Sequence, residues 1–288
     1  MTARIAFLTL ISISLAGCES FKPLSPLHRL ERSVVFQPAP FPKELEARKL
    51  PFEDAHFESA DGTQLHGWFV DHPNPSAIAL FCHGNAGNIS SRGDTLLMLR
   101  ERHNIAVLTF DYRGYGKSGG KPDEQGILED ARAARRWLAQ RKGIPESEIL
   151  LMGRSLGGAV AVDLASKDGA RGLVLASTFN SLPDVASRKF PWLPCRLAMS
   201  QRFDSESKIK NYQGPLLQSH GDHDRLIPID LAKKLHRAHP GPKQFVVIEG
   251  GGHRSPQNET YRQAFDQFLS QLIKPGRRNF VVLPANER

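Results

Sequence analysis

The residues of this chain that most clearly suggest chemistry are 153–157, which spell Gly-Arg-Ser-Leu-Gly. The apolar run 149–152 before them has the length of a buried strand, and the run 158–165 after them has the composition of a buried helix. A serine at such a strand-to-helix turn is held in a strained conformation with its hydroxyl projecting above the sheet. The pattern predicts that Ser155 is a nucleophile and that the backbone N–H of Leu156 can stabilise an oxyanion.

A serine hydroxyl becomes a useful nucleophile only with a base within hydrogen-bond reach. Of the 11 histidines, His253 is the best candidate, because it follows a predicted strand and a run of three glycines. This position places it at the carboxyl edge of the sheet, on the same side as Ser155. The segment 220–228 lies between them in sequence and holds two carboxylates that could orient the imidazole. Asp224 is preferred because it lies further out along the loop, and Asp222 is the alternative.

A second oxyanion donor is expected from the loop that follows the first parallel strand, residues 83–88 (His-Gly-Asn-Ala-Gly-Asn). The backbone N–H of Asn85 is the natural candidate, and a plain Gly/Asn turn is the alternative interpretation. A metal site within segment 220–228, from His220, Asp222, His223 and Asp224, is conceivable. No metal is expected, because nothing elsewhere in the chain supplies a matching cluster.

The elements that must position these residues follow an alternating pattern. A hairpin is predicted around the Asp-Gly pair at residues 61–62. Strands are then predicted over residues 77–82, 106–110, 149–152, 173–176, 216–220 and 245–248, with helices over 124–140, 156–166, 229–238 and 259–273. Near-continuous apolar strands joined by helices indicate a mostly parallel, eight-stranded sheet covered by helices on both faces.

The 288 residues are enough for one large α/β domain, which we place at residues 52–274. Within it, about 178–214 is rich in aromatics and prolines and is expected to form a small helical cap, in which Trp192 either lines an apolar pocket or packs the cap. The proline-rich segment 18–51 is expected to be mostly tether with one short helix at about 27–35, and 275–288 an irregular tail. The two cysteines of the main domain, Cys82 and Cys195, are not expected to form a disulfide.

The N-terminus suggests a location. Arg4 is followed by an apolar stretch, residues 5–15, that is too short to span a bilayer. It ends in Leu-Ala-Gly-Cys at 15–18, which resembles the lipobox of bacterial lipoproteins. The resemblance implies a signal peptide at 1–17, a lipid on Cys18 and a periplasmic position at the cell envelope. Glu19 in place of aspartate favours the outer membrane. An ordinary secretory signal with an incidental cysteine is the alternative.

The formal net charge of +8 comes from basic residues that are scattered along the chain. Scattered charge gives nucleic-acid binding little support and favours attraction to an anionic membrane surface. The sequence does not indicate an oligomeric state.

The motifs together resemble those of the α/β-hydrolases, in which nucleophile, acid and histidine occur in the order of Ser155, Asp224 and His253. The stretch 110–118 and the motifs at 83–88, 153–158 and 202–205 are similar to the small-cap branch that contains eukaryotic membrane-associated protein depalmitoylases. The resemblance covers about residues 27–273. It implies an acyl-enzyme mechanism that needs no cofactor.

The expected function is that of a membrane-tethered serine hydrolase acting on a carboxylic ester or thioester. An aminopeptidase of the same fold is one alternative. A lipid- or cell-wall-binding lipoprotein that has lost catalysis is another, although the complete set of nucleophile, acid, base and oxyanion loop argues against it.

Overall fold

The computed structural model describes residues 26–43, 52–255 and 257–272. The expected signal peptide at 1–17, Cys18 and the expected tail at 275–288 therefore lie outside the described residues. No helix in the described ranges is long and apolar enough to cross a membrane.

Within the described residues, eight strands form the central sheet. They are β1 (Glu53–Glu58), β2 (Gln64–Val70), β3 (Ala77–Cys82), β4 (Ile105–Phe110), β5 (Leu150–Arg154), β6 (Gly172–Ala176), β7 (Leu216–Gly221) and β8 (Lys243–Ile248). Their spatial order is β8-β7-β6-β5-β3-β4-β2-β1. Strand β2 pairs antiparallel with both β1 and β4, and the other neighbouring strands pair parallel. The predicted fold, a mostly parallel eight-stranded sheet with an edge hairpin, is confirmed.

The helices are α1 (Pro26–Val35), α2 (Gly93–His103), α3 (Glu124–Lys142), α4 (Leu156–Asp168), α5 (Leu182–Lys189), α6 (Cys195–Ala198), α7 (Ser205–Lys208), α8 (Ile229–Ala238) and α9 (Glu259–Leu272). Local chemistry sets their ends. The Asp123 carboxylate accepts a 2.7 Å hydrogen bond from the Gly126 N–H at the start of α3. Gly143 ends that helix at a φ of 63°, which favours glycine.

The strands carry apolar side chains on both faces, and helices cover each face. In β3, Ala79 and Phe81 pack with Leu99 of α2 and Phe265 of α9, whereas Leu80 belongs to the core on the opposite face with α3, α4 and α8. Because successive side chains of a strand point to opposite faces, the sheet contributes to a buried core on each of its two sides. Cys82 and Cys195 are both buried free thiols.

Helix α2 was not among the helices predicted from the sequence. Its apolar residues 96–99 are consecutive, so the segment lacks the apolar spacing of 3.6 residues that marks a one-sided helix. Leu96 and Leu99 nevertheless bury completely or almost completely against the sheet. Packing against the sheet, rather than a periodic apolar pattern in the sequence, stabilises this helix.

The segment 36–41 differs from the tether that the sequence suggested. Its prolines keep it extended, and Gln37–Pro38 pairs in parallel with Ala86–Gly87 in a separate two-stranded sheet. Phe36 and Phe41 are buried, at 3% and 7% exposed. This part of the N-terminal segment is therefore packed onto the domain beside the loop expected to supply an oxyanion donor.

Short helices also occupy the segment expected to form a cap. Helices α5, α6 and α7 lie between β6 and β7. The Ser181 hydroxyl accepts a hydrogen bond from the Asp184 N–H at the start of α5. Buried Phe203 contacts Phe36 edge to face, with ring centroids 6.3 Å apart. The cap and the N-terminal segment thus share a core.

Packing of the N-terminal segment can be tested with a matched pair of substitutions. We expect Phe36→Ala to lower the free energy of unfolding by about 3 kcal/mol or more, because it empties a buried aromatic site. Val34→Ala, in the adjoining helix α1 at a position that is 62% exposed, should change it by less than about 0.5 kcal/mol. Urea unfolding followed by circular dichroism measures both. Equal effects would show that the segment is not part of the folded core.

Candidate active site

Ser155 lies between β5 and α4 with a φ of 53°, in the left-handed region. Its N–H donates to Ala176 O at 2.9 Å, and its carbonyl accepts hydrogen bonds from the Gly158 N–H at 2.9 Å and the Thr178 hydroxyl at 2.8 Å. These bonds to the neighbouring strand and to the new helix hold the strained residue in place. The side chain is thereby fixed at the carboxyl edge of the sheet.

Three positions around Ser155 have no room for a side chain and therefore require glycine. A Cβ on Gly153 would lie 2.2 Å from Gly157 O, and one on Gly157 would lie 2.0 Å from Cys82 O. A Cβ on Gly158 would lie 2.4 Å from the Thr178 hydroxyl oxygen. The glycine spacing of the motif therefore follows from the close approach of β5, β3 and α4 at this turn.

The histidine and the preferred aspartate of the sequence analysis both reach Ser155. The distance from His253 Nε2 to Ser155 Oγ is 3.2 Å, and that from His253 Nδ1 to Asp224 Oδ2 is 2.8 Å. The other Asp224 oxygen, Oδ1, accepts the N–H groups of Leu226 and Ile227, both at 2.9 Å. The aspartate is thus fixed by its own loop while it contacts the imidazole.

The carboxylate of Asp224 determines which nitrogen of the imidazole faces Ser155 without a hydrogen. Burial alone would raise the pKa of this carboxyl, but hydrogen bonds from His220, His253 and the Ile227 N–H hold it well below its usual range. The carboxylate is therefore ionised at neutral pH and can only accept hydrogen bonds. Nδ1 of His253 must carry the hydrogen, which leaves the Nε2 lone pair facing the serine hydroxyl.

Asp222, the alternative acid, is exposed to solvent. No group of three or more His, Cys, Asp or Glu side chains in the described part of the chain is arranged to hold a metal ion. The segment 220–228 thus brings Asp224, but not Asp222, to the histidine.

The loop 83–88 adjoins the serine turn. A Cβ on Gly84 would lie 3.5 Å from the Ser155 Cβ. The Asn85 side chain is held at both ends, since its Nδ2 donates to Val35 O at 2.6 Å and its Oδ1 accepts the Tyr115 hydroxyl at 2.9 Å. Leu156 is the first residue of α4, where the backbone N–H has no acceptor within the helix. The two expected oxyanion donors therefore belong to adjacent, well-anchored segments.

The structure also reveals supporting residues that the sequence analysis did not assign. The Tyr112 hydroxyl donates to His83 O at 2.7 Å. Buried His220 places Nε2 2.8 Å from Ile227 O and 3.2 Å from Asp224 Oδ2. Tyr112 lies in the stretch 110–118. The sequence analysis used this stretch only for the family resemblance and assigned no contact to Tyr112. The sequence analysis considered His220 only as a member of a conceivable metal site, because its contact with Asp224 depends on how the loop folds back.

A cavity of about 1060 Å³ opens beside Ser155 and His253. Toward the cap its walls are apolar, formed by Val35, Phe179, Leu182, Val185, Leu226 and Ile227. Trp192 does not line it; the ring is 76% exposed and contacts Phe190. The interpretation of Trp192 as a pocket residue is therefore wrong, because the proline-flanked tip of the cap turns it outward.

A serine, histidine and aspartate connected in this way at the carboxyl edge of a mostly parallel sheet are the arrangement that can perform acyl transfer to a serine. The family model described as "Serine aminopeptidase, S33" matches residues 73–198. The α/β-hydrolase domain-containing protein WAV2 of Arabidopsis thaliana is 39% identical over 255 residues, which cover 80% of this chain and 82% of WAV2. The chain belongs to the α/β-hydrolase family.

Other relatives are similar over most of their length. An uncharacterized protein of Mycobacterium tuberculosis is 37% identical, covering 85% of this chain and 89% of that protein. Among solved structures, the esterase Pf2001 of Pyrococcus furiosus superposes with a TM-score of 0.63 at 20% identity, covering 82% of this chain and 99% of that one. Est1E of Butyrivibrio proteoclasticus, with ferulic acid bound, also has a TM-score of 0.63, at 21% identity, and covers 76% and 99%. The structural likeness shows the shared fold.

The close packing of the serine turn leads to a stability prediction. We expect Gly157→Ala to lower the free energy of unfolding by more than about 2 kcal/mol, because its methyl group meets a backbone carbonyl that cannot move aside. Gly119→Ala is a matched control, since its Cβ would meet Gln64 O at 3.6 Å, an ordinary contact. Thermal unfolding of the two variants should separate them clearly. A Gly157→Ala protein as stable as the control would contradict the described turn.

Proposed function

We propose that this protein is a serine hydrolase that cleaves carboxylic ester or thioester bonds through an acyl-enzyme. The observation that carries the proposal is the continuous chain of contacts from Asp224 through His253 to Ser155. Asp224 is held by N–H groups of its own loop, the His253 carbonyl accepts a hydrogen bond from Arg154, and the Ser155 backbone bonds to Ala176 and Thr178. Such preorganisation is what acyl transfer to serine requires.

In the first half of the reaction, His253 Nε2 takes the proton of the Ser155 hydroxyl as Oγ attacks the substrate carbonyl carbon. Asp224 holds the imidazole by its Nδ1–H and stabilises the positive charge that forms on the ring. The backbone N–H groups of Leu156 and Asn85 receive the negative charge that develops on the carbonyl oxygen. His253 then gives its proton to the leaving alcohol or thiol.

In the second half, water replaces the leaving group. His253 takes a proton from this water, whose oxygen attacks the acyl carbon of the serine ester. Collapse of the second tetrahedral intermediate breaks the bond to Oγ, and His253 returns the proton to Ser155. The products are a carboxylic acid and the regenerated enzyme.

The cavity favours an ester or thioester substrate over the peptide substrate of an aminopeptidase. An aminopeptidase must accommodate a cationic α-amino group, which carboxylates normally receive. Within the described chain, Asp94 is the only carboxylate that lines this cavity, against five arginines. The apolar wall toward the cap instead suits an acyl chain. The thioester part of the proposal is also supported by the resemblance to the depalmitoylase branch.

We infer further that the enzyme is tethered by a lipid on Cys18 and faces the periplasm, at the outer membrane. Support comes from the apolar stretch at 5–15 followed by Leu-Ala-Gly-Cys. Attachment through acyl chains would leave the hydrolase domain beside a lipid surface.

Substitution of the proposed triad residues tests the mechanism. We expect Ser155→Ala to lower kcat/KM for p-nitrophenyl butyrate by about 10³-fold or more, since the nucleophile is lost. Asp224→Asn should lower it by about 10³-fold to 10⁴-fold, because an amide favours the wrong imidazole tautomer. Asp222→Asn, at an exposed position on the same loop, should stay near the wild-type value. A greater loss in the Asp222 variant would reassign the acid.

The apolar wall predicts a dependence on acyl length. We expect kcat/KM for p-nitrophenyl esters to rise about fourfold per methylene from acetyl toward octanoyl, while each methylene is being buried, and then to level off. Leu182→Ala, which shortens a side chain of the wall, should flatten the rise. Trp192→Ala should leave its slope unchanged, because the ring points to solvent. Maximal activity on long-chain triglycerides would argue against a pocket of this size.

The tether can be tested in cells. We expect Cys18→Ser to move the protein from the membrane fraction to the soluble fraction, because its lipid attachment site is lost. Fractionation followed by immunoblotting measures the distribution, with Cys195→Ser as the control that removes a different cysteine. Membrane association of the Cys18 variant that persists in high salt would contradict a lipid tether.

A further inference from the structure

The cavity beside Ser155 has an unbalanced charge on the side away from the cap. Among the described residues, a single carboxylate, that of Asp94, lines the cavity together with Arg92, Arg102, Arg154, Arg254 and Arg262. Arg262 is neutralised by Glu259, at 2.6 Å. A site of this sign attracts anions and repels cations.

Four of these arginines have no ion pair with any carboxylate in the described part of the chain: Arg92, Arg102, Arg154 and Arg254. Arg154 donates from Nη2 to His253 O at 2.6 Å, and Arg92 donates from Nη2 to Ala86 O at 3.1 Å. The Nε–H of Arg92 is buried and lacks a hydrogen-bond partner among the described residues. A buried donor without an acceptor is unfavourable unless a ligand supplies one.

The guanidinium groups of Arg92, Arg154 and Arg254 are close enough to affect one another. Burial lowers the pKa of Arg92, and the charge of Arg254 lowers it further. Burial also lowers the pKa of Arg154, with Arg92 and Arg254 adding to the effect. Arg92 and Arg154 are half-buried and Arg254 is exposed. The repulsion between these like charges is relieved when an anion joins them.

The position of the cluster identifies the part of the substrate that it faces. Arg254 directly follows His253, and Arg154 binds the His253 carbonyl and directly precedes Ser155. In acyl transfer the histidine gives its proton to the leaving group, so the leaving group departs next to the histidine. The acyl chain has the apolar wall toward the cap. The arginines therefore border the space for the alcohol or thiol.

We propose that the natural substrate is an ester or thioester whose leaving alcohol or thiol carries a phosphate, and that Arg92 and Arg254 bind this phosphate. The inference rests on the proposed hydrolase function. Phosphate suits the site because it presents several oxygens to guanidinium groups that line one cavity and carries more charge than a carboxylate. Hydrolysis breaks only the acyl bond: water supplies the hydroxyl of the acid, the leaving oxygen or sulfur takes the proton from His253, and the phosphate stays intact.

Two matched substrate pairs test the proposal and separate two sources of the phosphate. The first pair is 1-octanoylglycerol 3-phosphate against 1-octanoylglycerol, which represents a lipid headgroup. The second pair is octanoyl-coenzyme A against octanoyl-N-acetylcysteamine, which represents a phosphate-bearing thiol. The readout is the ratio of kcat/KM within each pair, so that a general loss of activity cancels. We expect the full-length enzyme to prefer the phosphorylated member of at least one pair by about tenfold or more.

Substitutions then assign the preference to the cluster. Arg254→Gln and Arg92→Gln should each reduce the ratio toward one, and Arg254→Lys should retain part of it because the charge remains. Arg225→Gln is the matched control, since Arg225 is exposed on the Asp224 loop and does not line the cavity. It should keep both the ratio and the activity of the parent enzyme.

The outcomes distinguish this inference from the function on which it rests. Hydrolysis of the neutral substrates with ratios near one in both pairs would overturn the phosphate site and leave the hydrolase intact. A strong preference that survives in both Arg92→Gln and Arg254→Gln would also overturn it. No hydrolysis of any substrate, or equal activity in Ser155→Ala, would overturn the proposed function and the inference together.

Discussion

Ser155 occupies a left-handed backbone conformation that costs of order 1–3 kcal/mol for a residue with a side chain, and the residues around the turn hold it there. Ala176 accepts its N–H, Thr178 donates to its carbonyl, and the glycines at 153 and 157 let β3 and α4 approach closely. If the turn relaxed, the hydroxyl would leave the line toward His253, and Leu156 would no longer start α4 beside the 83–88 loop. The geometry of the whole site therefore depends on this one strained residue.

The contacts that support the turn involve residues beyond the triad. Residues 35–41, the loop 83–88 and the stretch 110–118 support one another. Asn85 binds Val35 and Tyr115, and Asn88 donates to both Ala39 and Pro40. The N-terminal segment thus braces the loop that is proposed to hold an oxyanion donor.

Much of the architecture could be predicted from the sequence because it depends on local patterns. Apolar runs of strand length predict the strands of the sheet. The glycine spacing around Ser155 and the position of His253 after a strand predict that both residues lie at its carboxyl edge. The choice of Asp224 over Asp222 also followed from position along the loop. What could not be predicted depends on contacts between distant parts of the chain. Helix α2 lacks an apolar period, and Phe36 is buried in a core that includes the distant residue Phe203. Trp192 faces solvent although the aromatic composition of the cap suggested a pocket. Arg92, Arg154 and Arg254 likewise line one cavity although they come from distant points in the chain.

Covalent labelling tests most directly whether Ser155 is an activated nucleophile. The protein would be treated with a fluorophosphonate and digested, and the modified residue identified by mass spectrometry. The account predicts stoichiometric modification of Ser155 alone, and a labelling rate that falls by orders of magnitude in His253→Ala, because only a serine deprotonated by its neighbouring base reacts quickly. Modification of another residue, or a Ser155 that labels equally fast without His253, would contradict it.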